Sequence, residues 1–100
     1  MSKTPGPDWY ALADGRQFWE LSQNELIPIC TSSAMPAWDT HCLISAMEHK
    51  FRMGAKPGEA ETDCEACIWW LGRMSWDGID NPAVEKIHDR VIQERQKVGR

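Results

Sequence analysis

Two segments of helical periodicity, separated by a short Gly/Pro-containing connection, constrain this chain more than any other feature. They lie between Asp39 and Met74, DTHCLISAMEHKFRMGAKPGEAETDCEACIWWLGRM. Projecting residues 41–53 at about 100° per residue gathers Leu43, Ile44, Ala46, Met47 and Phe51 on one side. His41, Ser45, His49 and Arg52 gather on the other, at spacings that put them in one row. Asp39 or Thr40 supplies the N-cap, and Gly54 ends the helix with Lys56 just beyond it. The second segment opens in an acidic turn (Glu59, Glu61, Asp63, Glu65), favourable against the helix dipole. Thr62 and Glu65 have capping-box spacing. Cys64, Cys67, Ile68 and Leu71 then form an apolar stripe at i, i+3, i+4 and i+7. Two such helices on a short connection are expected to pack antiparallel, apolar face to apolar face.

The rest of the chain is arranged around that hairpin, residues 40–73. Residues 1–8 hold two prolines and a glycine and read as a flexible arm. The next stretch has two readings. Asp14-Gly15 suits a tight hairpin turn. A helix from Gly15 to Leu26 is favoured over it, with Phe18, Leu21 and Leu26 inward and Pro28 at the exit. Ile29 to Trp38 reads as a loop, and so does SWDGIDNP after Met74. Asn81 then caps a last helix over 82–98, with Pro82 at its first position. Val84, Ile87, Val91 and Val98 make its seam, which Glu94 interrupts. The expectation is a single all-α domain of three or four helices.

No apolar run approaches the ~20 residues of a membrane span, and MSKTPGPDW lacks a signal-peptide core, so a cytoplasmic protein is expected. Its cysteines are then expected to be reduced. A net charge of −4 argues against a dedicated nucleic-acid binder, although residues 86–100 are locally basic. Six tryptophans in 100 residues exceed what one small core needs. The surplus points to a homo-oligomer, with the last helix or the Trp69/Trp70 flank at the interface.

Several residue groups have the composition of a site. His41, Ser45, His49, Arg52 and nearby Lys56 combine a guanidinium fork, a point charge and imidazole donors, the set that phosphate recognition uses. Trp69 and Trp70 offer faces on which a base can stack. A solvated helix face is the competing reading. On either one Arg52 should stand clear of the core, and Arg52→Ala should change stability by no more than about 0.5 kcal/mol. Asp63 and Glu61 are candidate Mg²⁺ ligands, although acidic residues also belong in a first helical turn. Cys64-x-x-Cys67 is half of a zinc site, with Cys30, Cys42, His41 or His49 as completers. The second Cys-x-x-Cys is absent, however, and both cysteines fall in the apolar stripe, so zinc is not expected. His88-Asp89 lacks the rest of a metal phosphohydrolase pattern, and Gly54-Ala55-Lys56-Pro57-Gly58 lacks Walker spacing.

Arg52, Gly54, Lys56, Asp63 and Ile68-Trp69-Trp70-Leu71 together resemble the helical hairpin of a small phage domain family of unknown function. That family includes a nucleotide kinase without a Walker loop. The likeness covers about a third of the chain. It departs at Glu48-His49, where the family carries Lys-Tyr, and at Ala66, where it carries Lys. The resemblance implies a phage origin and nucleotide chemistry, with a kinase-like phosphotransferase as the enzyme reading. The leading expectation is therefore a phage accessory protein that binds a nucleotide or nucleotide-derived signal, and phosphorylates or sequesters it. The competing one is an inhibitor of a host enzyme or defence complex, acting through an acidic and aromatic surface with no small-molecule site.

Overall fold

The computed structural model describes residues 9–99; the arm reading for 1–8 falls outside them. The fold is all-α. Its elements are α1 (Phe18–Leu21), a π-helical stretch (Ser22–Leu26), α2 (Ile27–Ser32), α3 (Ala37–Arg52), α4 (Ala60–Leu71), α5 (Trp76–Ile79) and α6 (Pro82–Lys97).

Both readings of the N-terminal stretch hold in part. Gly15, at φ +93°, makes the tight turn, closed by a single antiparallel bridge between Ala11 and Gln17. The helix starts after the turn, at Phe18, and not at Gly15. It also outlasts Pro28, so the loop expected over 29–38 shrinks to residues 33–36. The chain widens into a π turn just before the proline, with Ile27 N–H donating to Ser22 O. Pro28 then sits in the first turn of α2, where its missing N–H matters least.

The core is built on α3. Leu43, Ala46, Met47 and Phe51 are buried against Phe18, Leu21, Leu26, Ala83, Ile87 and Val91, with the Phe18 and Phe51 rings 5.3 Å apart. Ile87 and Val91 are fully enclosed, so these two residues of the α6 seam are spent within the chain, while Val84 and Val98 are half-buried at its ends. Glu94 interrupts that seam without leaving the interior. Its carboxylate accepts hydrogen bonds from Arg90 and, at 3.2 Å, from Lys97. Arg90 also reaches Glu25 at 2.9 Å, and Glu25 reaches Arg16 at 3.3 Å. This chain of charges fastens the N-terminal turn to α6. Arg95 donates to the Met53 carbonyl at 2.6 Å, meeting the negative end of α3.

The N-cap expected at Asp39 or Thr40 is displaced: α3 begins at Ala37, after Pro36. Asp39 is instead buried, and its carboxylate accepts from Ser75 N–H (2.9 Å) and Ser75 Oγ–H (2.7 Å). Ser75 Oγ accepts in turn from Gly78 N–H at 3.0 Å, capping α5 inside a segment expected to be only a turn. Gly78 packs directly on the Asp39 carboxylate, and a side-chain carbon there would lie 2.9 Å from Asp39 Cβ and closer still to its carboxyl group. Replacing a helical glycine by alanine ordinarily gains up to ~1 kcal/mol. Here the sign reverses, because Asp39 is pinned and cannot retreat. Gly78→Ala should cost about 1–3 kcal/mol, the range for overpacking, read by urea unfolding. A stabilised variant would contradict this packing.

Candidate functional site

The hairpin places the predicted residues in an unexpected relation. As residue number rises along α3 it falls along α4, and residues of the polar row, with Trp38 before them, make the polar and aromatic contacts across the pair. Arg52 pairs with Asp63, His41 meets the Trp70 ring at 5.2 Å, and Trp38 Nε1–H donates to Arg73 O at 3.2 Å. The row taken for a solvated or phosphate-facing edge is thus the seam against α4. The apolar face of α3 packs on residues of α1, α2 and α6, and α4 adds Cys67 to the same cluster, with Trp70 and Leu71 at its margin.

Arg52 and Asp63 anchor that seam. Arg52 Nε lies 3.1 Å from both Asp63 oxygens, and Nη2 closes a second contact to Oδ1. Arg52 Nη1 donates to the Tyr10 hydroxyl at 3.1 Å, and Nη2 lies 3.7 Å from Glu59. His49 Nδ1 is 3.2 Å from Asp63 Oδ1; since an ionised carboxylate only accepts, Nδ1 carries the proton. The Asp63 side chain has no exposed surface and that of Arg52 only 15%. Arg52 is therefore not clear of the core, which removes the premise for expecting a silent Arg52→Ala. Burial alone would raise the Asp63 carboxyl, but the hydrogen bonds and charges of Arg52 and His49 outweigh it and hold the group below the usual carboxylate range. Its bond to Asp63 likewise raises the Arg52 guanidinium.

This pairing decides the rotation of α4. With Asp63 turned inward, Cys67 is buried and Trp70 and Leu71 half-buried, while Cys64 is exposed and Ile68 is 64% exposed. The stripe Cys64–Cys67–Ile68–Leu71 is not the buried face. The Thr62–Glu65 capping box is not formed either, since α4 begins at Ala60 after Glu59, with no side-chain cap.

The remaining candidates sort accordingly. Ser45 is half-buried and His41 exposed. Lys56 is paired with Glu59 at 3.5 Å, so cations and carboxylates balance around Arg52. Asp63 and Glu61 do not share a face: the first is enclosed with its oxygens occupied, the second exposed. Among the described residues no group of three His, Cys, Asp or Glu side chains is placed to hold a metal ion. Cys30, Cys42 and Cys67 are buried thiols that burial pushes up, and Cys64 points outward.

Two other surfaces carry exposed aromatic groups. On one flank of α4, Trp38, His41, Trp70 and Trp69 follow one another at centroid separations of 5.5, 5.2 and 5.0 Å. The Arg73 guanidinium lies over Trp69 at 4.6 Å. On the other flank, Leu71, Gly72, Met74, Trp76 and Ile79 line an open cleft of about 290 Å³, with Trp76 86% exposed. Asp77 and Asp80 are exposed beside it in the chain. Sequence reasoning passed over Trp38, Arg73 and Trp76, although Trp69 and Arg73 have the i, i+4 spacing of a helical pair. Comparison with known proteins returns no matching family model, curated protein or solved structure.

The buried pair sets two measurable quantities. Arg52→Ala or Asp63→Ala leaves one uncompensated charge inside and should cost about 3–5 kcal/mol in chemical denaturation. A loss below ~1 kcal/mol would mean the pair is solvent-screened. Glu25 and Glu94 are also held below their ordinary range, Glu25 chiefly by its hydrogen bond from Arg90. For Glu94, burial opposes the lowering, and the hydrogen bonds from Arg90 and Lys97 prevail. Carboxyls lowered in the folded state stabilise it fully above their unfolded values of about 3.9–4.3. That stabilisation drains as pH falls through the lower folded values. Thermal midpoints should hold near neutrality and drop steeply below pH about 4; an unchanged midpoint down to pH ~2 would contradict the assignment.

Proposed function

We propose that this protein is a non-enzymatic binding protein that engages another protein through the cleft between α4 and α5. The observation that carries the reading is Trp76, a large ring 86% exposed at the rim of an apolar cleft. Leaving such a ring in water forgoes the burial that stabilises a small domain, and aromatic anchors beside apolar pockets are what protein interfaces concentrate. Asp77 and Asp80, both exposed and on α5 or just past it, give this cleft an acidic margin. The complementary partner is an amphipathic segment with apolar residues on one face and Lys or Arg at its edges. Together with the phage-like motif, this favours an accessory inhibitor of a host protein.

The nucleotide reading keeps one supporting feature. Arg73 on Trp69, with His41 between Trp38 and Trp70, sets cationic or protonatable groups beside exposed rings. Its original phosphate ligands, Arg52 and His49, face Asp63, and a phosphotransferase reading rests on the motif likeness alone.

A short amphipathic Leu/Lys peptide and its Leu/Glu counterpart, titrated by calorimetry, test the proposal alongside a thermal-shift panel of nucleotides and cyclic dinucleotides. Wild type should bind the Leu/Lys peptide only. Trp76→Ala should weaken it by about tenfold or more, the usual loss at an interface anchor, and Asp77→Lys/Asp80→Lys should do so in a salt-dependent manner. Equal binding of both peptides, or a response to nucleotides alone, would overturn it.

A further inference from the structure

A second surface of α4 has a different logic, because it is complementary to itself. Thr62, Ala66, Trp69 and Arg73 recur at intervals of four, three and four, the spacing of a helix–helix seam. Arg73 lies just past the last residue of α4, but its N–H donates to Trp70 O at 3.0 Å, so the helical path reaches it. The seam points away from α3: Thr62 and Arg73 are exposed, Ala66 is half-buried, and Trp69 is 52% exposed. It is also polarised. Its N-terminal half is small and acidic-sided (Thr62, Ala66, Glu65), its C-terminal half large and basic (Trp69, Arg73). Among the described residues neither Glu65 nor Arg73 takes part in a salt bridge within the chain. The Arg73 guanidinium is held in place by stacking on Trp69, which lowers the entropy lost when it meets a carboxylate.

From this we infer that the occupant of the surface is a second copy of the chain, its α4 running antiparallel across a two-fold axis near Cys67 and Ile68. In that register Trp69 covers Ala66 of the second copy, large against small. Arg73 lands beside Thr62 of the second copy, within reach of its Glu65. The two-fold repeats each contact, as an isologous interface requires. The helix dipoles oppose one another favourably, and Trp38, His41 and Trp70 extend the apolar area at one edge. A parallel pairing would instead set Trp69 on Trp69 and Arg73 on Arg73. The acidic margin near Trp76 gives no such complement, since a second copy there would oppose like charges.

Sedimentation equilibrium on the whole chain tests this. Wild type should show twice the 11.4 kDa chain mass in the range of tens of micromolar, as a small interface of this kind allows. Trp69→Ala should raise the dimer dissociation constant by about tenfold or more. Arg73→Glu and Glu65→Arg should each do the same by setting like charges together, and the double variant should recover the dimer. All three residues are exposed, so circular dichroism, and thermal midpoints taken at dilutions where wild type is itself monomeric, should stay at wild-type values and separate dissociation from misfolding. A wild type that is monomeric at every concentration overturns the inference. So does a dimer that survives both Trp69→Ala and Arg73→Glu, or a double variant that folds but stays monomeric. Trp69-dependent binding of a nucleotide by a monomer would assign the face to that ligand instead.

Discussion

The buried pair between Arg52 and Asp63 is the interaction on which the hairpin depends. Two helices joined by seven residues can pack in several rotations, and apolar patterning alone would have turned Cys64 and Ile68 inward. A fully enclosed carboxylate changes that balance. Once desolvated, Asp63 must meet a cation and further donors, which Arg52 and His49 provide from successive turns of α3. Such a pair adds little net stability compared with a well-packed apolar equivalent, but it specifies one rotation and register among many. Gly54, at φ +87°, lets the chain reverse directly after Arg52.

That choice has a cost and a consequence on the outside of the molecule. Turning Asp63 in turns Ile68 and Trp69 out, and α4 packs almost wholly against one edge of α3. An exposed isoleucine and tryptophan on a peripheral helix are poor for a solitary monomer and useful for association. The polar residues that resembled a ligand site thus hold the scaffold, and the apolar ones that resembled core are left on the surface.

The ion-pair chain from Arg16 through Glu25 and Arg90 to Glu94 plays the corresponding part at the opposite side. It ties a segment with weak periodicity to the last helix, and it explains why a glutamate interrupts an otherwise apolar seam. Asp39 and Ser75 do the same between α3 and α5. At Asp39 and at Asp63 alike, a carboxylate whose local role looked like capping or a solvated dipole partner is spent on a contact distant in sequence.

The helical class, the positions of α3, α4 and α6, and the Asn81-Pro82 start of the last helix follow from local chemistry: periodicity, capping side chains and proline placement act over a few residues and can be read one segment at a time. The N-terminal turn and helix were legible as alternatives, though not as successive parts of one stretch, because Pro28 looked like a stop until the π turn made room for it. Which face of α4 lies inside was not legible. An aspartate in a first helical turn is ordinarily a solvated dipole partner, and nothing within ten residues of Asp63 reveals that Arg52 will be folded back onto it. Only the tertiary contact supplies the desolvation and the partner together, and that contact put Arg52, His49 and Asp63 inside the hairpin and left Ile68 and Trp69 on its surface.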